Sequence, residues 1–77
     1  MSAKLFGFND LEIWQRGDRF FVRYDAGAHQ VAMREDEISK SEAEFAMQGK
    51  DAALKMLFRL QKRLEDSGIN PYVSNIH

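Results

Sequence analysis

The hydrophobic period of this chain changes near Ile38, from about two residues before it to about 3.6 after it, the repeats of strand and helix. One such change in 77 residues leaves room for strands first and helices second, packed as two layers around one core. The expected fold is α+β: a three-stranded antiparallel meander followed by two α-helices on one of its faces, in the order β-β-β-α-α, as one domain over residues 1–77. A chain this short is near the lower limit for a single core. It contains no cysteine, so neither disulfides nor thiolate metal sites can support it.

Residues 11–15 and 19–24 read as strands around Arg16-Gly17-Asp18, with Gly17-Asp18 suited to a two-residue primed turn. That turn fixes the register. One face pairs Leu11 with Tyr24, Ile13 with Val22 and Gln15 with Phe20; the other pairs Glu12 with Arg23, Trp14 with Phe21 and Arg16 with Arg19. The third strand is expected over residues 30–36, after a loop of residues 26–29. Two registers keep Val31 and Met33 on the face of Val22. One opposes Arg19 with Arg34; the other sets Arg19 against Asp36 and Phe21 against Arg34, and avoidance of like charges favours it. Lys4 to Phe8 can supply an extra strand.

Ser39 with Glu42 has the spacing of a capping box, with Ile38 and Ala43 placed as its hydrophobic staple. Ser41 with Glu44 offers a second choice of cap. Helices are expected over residues 40–48 and 51–67, with Gly49 between them and Asp51 capping the second; a single helix bent at Gly49 is the alternative. Gly68, Ile69 and Pro71 spell a Schellman ending. Ala53, Met56, Leu57, Leu60 and Leu64 make one apolar stripe, with Lys55, Arg59, Lys62 and Arg63 opposite. The stripe is expected to cover Leu11, Ile13, Phe20, Val22, Tyr24, Val31 and Met33.

The other sheet face then carries a row of Trp14, Phe21 and Arg34, flanked by Glu12, Arg16, Arg19, Arg23, Ala32 and Asp36. Trp and Arg are enriched at binding hot spots, and each aromatic ring offers about 150–250 Å² for burial. The competing reading is that Leu5, Phe6 and Phe8, or Tyr72, Val73 and Ile76, cover the row themselves. Candidate binding residues are Trp14, Phe21, Arg34, Arg23 and Arg19, where Trp14→Ala or Arg34→Ala is expected to weaken a partner without unfolding the chain.

Chemistry is sparsely signalled. His29 lies near Asp25, but without a nucleophile context, a phosphate loop or an HExxH spacing, a loop histidine beside a turn-forming aspartate is the simpler reading. No metal or cofactor is expected, nor any catalytic residue. Arg16-Gly17-Asp18 matches an adhesion tripeptide by letter and a hairpin turn by context. The basic side of the second helix is interrupted by Asp66 and reads as a solvated face. Glu35-Asp36-Glu37 is expected to sit ahead of the first helix, where carboxylates suit its positive end.

At 44% hydrophobic, 30% charged and a net charge of −1, the chain reads as an ordinary globular protein. It has no apolar run long enough to cross a membrane and no apolar N-terminal stretch long enough for a signal peptide, so a cytoplasmic protein is expected. The leading functional expectation is a non-enzymatic protein-binding module, of immunity, inhibitor or adaptor type or self-associating as a homodimer. Nucleic-acid binding through Arg16, Arg19, Arg23 and Arg34 is the alternative. In layout, though in no motif, that face is similar to plant-type transcription-factor domains and integrase arm-binding domains, which lay a three-stranded sheet in a DNA groove. Near-neutral net charge weighs against it, because phosphate contacts dominate such affinity.

Overall fold

The computed structural model describes residues 1–27 and 30–76. Four strands, β1 (Ser2–Phe8), β2 (Leu11–Arg16), β3 (Arg19–Asp25) and β4 (Met33–Ile38), precede two helices, α1 (Lys40–Ala46) and α2 (Lys50–Asp66). The α+β class holds, but the antiparallel sheet has four strands in the order β1-β2-β3-β4, not three. The extra strand is built by the N-terminal segment, which starts pairing at Ser2 opposite Arg16. Asn9, with φ of 47°, sits between β1 and β2. A positive φ at asparagine is what a tight hairpin turn requires, so Asn9-Asp10 was the signal in the sequence for this strand. An irregularity between Lys4 and Phe6 shifts the register and pairs Phe6 with Ile13 and Phe8 with Leu11. Both phenylalanines consequently pack against the core.

The β2–β3 register is the one the turn geometry dictates: Glu12 opposes Arg23, Ile13 Val22, Trp14 Phe21, Gln15 Phe20 and Arg16 Arg19. The β3–β4 register differs from the expected one. Phe21 opposes Glu37 and not Arg34, Val22 opposes Asp36, and Tyr24 opposes Arg34. This is a slip of three residues along β4. An odd slip exchanges the faces of a strand. Arg34, Asp36 and Ile38 therefore share the helix-side face with Val22 and Tyr24, while Val31 precedes the strand and is exposed. Asp25 accounts for the longer loop, because its Oδ1 accepts the backbone N–H groups of Gly27 and Ala32, each at 2.9 Å. Ala26 N–H donates to the Ala32 carbonyl and closes the turn there. These bonds hold the Asp25 carboxyl below its usual pKa. His29, the other half of the suspected pair, lies outside the described residues, as does His77.

The core is Leu11, Ile13, Val22, Tyr24 and Ile38 from the sheet, with Ala43, Ala46, Ala53, Met56 and Leu60 from the helices. Ile38 takes the place expected for Val31 and Met33. Ser39 caps α1 with both bonds of the capping box, to and from Glu42. Asp51 does not cap α2: the cap is Gly49, and Asp51 lies within the first turn, where its charge suits the helix dipole. Gly49 has φ of 150° and Gly68 has φ of 81°, conformations that side chains disfavour. At Gly68 the Schellman pattern is complete, with Gly68 N–H donating to Glu65 and Ile69 N–H to Leu64. Gly68→Ala is expected to lower unfolding free energy by about 1–2 kcal/mol, seen as a lower urea midpoint with unchanged slope.

Candidate binding surface

Of the five residues expected to line the outer face, Trp14, Phe21, Arg19 and Arg23 belong to it by register. Arg34 does not; it is only 4% exposed. The outer face is further furnished by Lys4, Glu12, Arg16, Glu35 and Glu37. Its polar groups are ordered. Trp14 Nε1 donates to Glu12 Oε1 at 3.1 Å, and Lys4 Nζ meets Glu12 Oε2 at 3.0 Å. These two contacts hold the Glu12 carboxyl below its usual pKa, Lys4 contributing most.

Phe21 lies between two arginines, with the Arg16 guanidinium 4.7 Å and that of Arg19 5.6 Å from the ring centroid. Each guanidinium also grips a carboxylate of β4 through two hydrogen bonds. Arg16 binds Glu35 at 2.9 and 2.6 Å, and Arg19 binds Glu37 at 2.9 and 2.6 Å. Such forked pairs fix both partners in orientation. They also explain the register of β4: alternate residues Glu35 and Glu37 face the two arginines, and only the shifted pairing puts them there. The acidic run thus belongs to the strand and not to the start of α1. Alternating acids opposite two arginines was a readable signal that like-charge avoidance alone did not capture.

Among the described residues, β1 pairs Lys4 with Trp14, and the C-terminal segment bonds β4. β1 occupies the sheet edge and sends Phe6 and Phe8 toward the core. The C-terminal segment runs to the β4 edge, where Ser74 Oγ donates to the Met33 carbonyl at 2.7 Å and the Asn75 amide bonds both backbone groups of Glu35 at 2.8 Å. Trp14 and Phe21 remain half-buried, screened by the stems and heads of charged neighbours.

Beneath β4, Arg34 forms a second polar assembly. Its Nε and Nη2 bind Asp36 at 3.1 and 2.9 Å, and Nη1 donates to the carbonyls of Asn70 and Val73 at 3.3 and 2.7 Å. Tyr24 Oη donates to Asp36 Oδ2 at 2.9 Å. Burial, and secondarily the Asp36 carboxylate, pushes the Tyr24 hydroxyl up to about 12. Asp36 keeps Arg34 firmly charged.

Among the described residues, no cluster of three or more His, Cys, Asp or Glu could hold a metal ion. A depression bounded by Phe8, Asp10, Leu11, Tyr24, Leu54 and Leu57 measures about 190 Å³, and another around Phe45, Gln48, Gly49, Asp51 and Lys55 about 450 Å³, the second within the roughly 300–1,000 Å³ of small-molecule pockets. No helix among the described residues is long and apolar enough to cross a membrane. No family model matches the chain, and no curated protein or solved structure is detectably similar to it.

Two outcomes follow from the buried assembly. Arg34→Ala leaves Asp36, with its side chain 11% exposed, without its cation and is expected to lose about 3–5 kcal/mol of stability, whereas Arg19→Ala, at an exposed pair, is expected to leave stability nearly unchanged. Urea unfolding of both variants separates these values. Because the Tyr24 hydroxyl is raised in the folded state from 10.0 to about 12, its contribution is intact below pH 10 and is lost as pH rises toward 12. Unfolding free energy should fall by something on the order of 2 kcal/mol across that window, and Tyr24→Phe should flatten the fall.

Proposed function

We propose that the chain is a small non-enzymatic protein-binding module, and that its partner docks on the outer sheet face around Trp14 and Phe21. The observation that carries this reading is the forked clamp on each side of Phe21. It fixes the Phe21 ring beside Trp14, itself bonded to Glu12, within a border of Lys4, Arg16, Arg19 and Arg23 with Glu12, Glu35 and Glu37. Rigid aromatic anchors lose little entropy on binding, and a polar rim that excludes water strengthens contacts at the centre. The fitting partner presents an apolar centre and a border of both charge signs. Immunity protein, inhibitor and adaptor are roles compatible with that surface.

Nucleic-acid binding is the weaker proposal. Of the four arginines expected to carry it, Arg34 is buried, and Arg16 and Arg19 are held by Glu35 and Glu37. Phosphate would have to displace those carboxylates before gaining any contact.

The test is capture of partners from the source cells by tagged wild-type chain, with Trp14→Ala and Phe21→Ala as controls. Each variant should bind the captured partner roughly 30-fold or more weakly, the level of a hot-spot residue, with a circular-dichroism spectrum like that of wild type. Retention of full affinity by both variants would remove the outer face as the interface. Sedimentation over a concentration series shows whether the partner is a second copy; an isologous dimer would then dissociate in Trp14→Ala.

A further inference from the structure

Four cationic side chains stand on the outer sheet face, and carboxylates of the same face answer three of them. Lys4 meets Glu12 at 3.0 Å, while Arg16 meets Glu35 and Arg19 meets Glu37, each at 2.6 Å. The fourth, Arg23, lies by register between Glu12 on β2 and Glu35 on β4. Neither carboxylate bridges to it. The two oxygens of Glu12 are taken by Lys4 and Trp14, and those of Glu35 by Arg16. Gly7, in the same row as Glu12, makes the first of these engagements possible. A Cβ there would sit 2.8 Å from Lys4 Cε, so the bare backbone lets the lysine stem cross to Glu12. Among the described residues, Arg23 forms no ion pair. It is half-buried and lines a depression of about 200 Å³ together with Asn9, Asp10, Glu12 and Met33. Two residues along β3 from Phe21, it projects from the same face, next to the row of Trp14 and Phe21.

We propose that Arg23 sets the specificity of the outer face, and that it receives a side-chain carboxylate of the protein partner, placed beside the apolar group that covers Trp14 and Phe21. This inference rests on the protein-binding reading given above and adds the chemistry its partner carries. A partner that covers the aromatic pair also takes the neighbouring guanidinium out of water. An unanswered charge at an interface is costly, so the partner has to bring an acceptor with it. A carboxylate matches the planar fork of donors and adds charge to the bond, which a neutral carbonyl does not. Lysine or arginine at that position would be repelled. A polyanion fits poorly, because charges to either side of the one it places on Arg23 would face Glu12 and Glu35. One cation left over among forked pairs therefore selects one acidic side chain.

The probe is a display library of short random peptides, selected on full-length wild-type protein and counter-selected on Trp14→Ala. Peptides that need Trp14 should carry Asp or Glu close to an aromatic or aliphatic residue, above the frequency of the unselected library. In an end-capped synthetic copy of one such peptide, replacing the acid by its amide should weaken binding to wild type about tenfold. Arg23→Gln, with a circular-dichroism spectrum like that of wild type, should bind the acidic peptide about tenfold more weakly. It should also bind the acid and amide forms alike, because both substitutions remove the same pair. Selection on Arg23→Glu should enrich Lys or Arg in place of the acid. Trp14-dependent peptides without acidic enrichment overturn the role of Arg23 and leave the outer face as the interface. An acid-to-amide loss of equal size on wild type and Arg23→Gln does the same. A library that yields no Trp14-dependent peptide removes the outer face itself, and this inference with it.

Discussion

The register of β4 against β3 decides the rest of this structure. Because side chains alternate across a strand, an odd displacement would exchange every residue of β4 between core and surface. In the observed register, Ile38 joins the core and Glu35 and Glu37 meet Arg16 and Arg19 outside, while Arg34 and Asp36 are carried inside. The last consequence is the expensive one, since a guanidinium and a carboxylate leave water. It is tolerated because no donor of the cluster is left idle: Arg34 serves Asp36 and two tail carbonyls, Tyr24 serves Asp36, and no buried side-chain nitrogen or oxygen among the described residues lacks a partner. The tail is thereby drawn into the fold by the same register that orders the outer face.

What could be read from the sequence was whatever local geometry dictates. Gly17-Asp18 set the β2–β3 hairpin residue for residue, Ser39 with Glu42 marked the start of α1, and Gly68 with Ile69 marked the end of α2. Each of these depends on residues within a few positions of one another. The β3–β4 pairing depends on a loop whose length is set by Asp25 reaching forward to Ala32, and on charges brought together from three strands. Weighing Arg19 against only its direct opposite neighbour missed the forked diagonal pairs. Val31 and Met33 looked like core because they alternate and are apolar. Arg34 looked like surface because it is charged. Both inferences failed for one reason: burial followed the partners available for Arg34 and not the polarity of the side chain alone.

The candidate site changed in proportion. Trp14 and Phe21 were legible because their hairpin was legible, and they stand opposite each other as expected. Arg34 was misplaced with its strand. In its stead the face gained Glu35 and Glu37, which turned a row imagined as aromatic and cationic into one where cations are already answered. A surface with unpaired arginines would draw polyanions; a surface with forked pairs presents fixed geometry and little net field. That difference is why the proposed function names a protein, and not phosphate, as the ligand of this face.

The two edges of the sheet are treated differently, and the difference bears on how the molecule meets others. β1 carries Lys4 and a register irregularity, both devices that discourage edge-to-edge pairing. β4 keeps an unbroken register, carries four consecutive charged residues from Arg34 to Glu37, and has its outer backbone groups bonded by Ser74 and Asn75 of its own chain. That cover is anchored by Pro71, which is fully buried, and by Arg34, which donates to the carbonyls of Asn70 and Val73. One edge is thus closed by a charge and a register irregularity, and the other by side chains of the C-terminal segment.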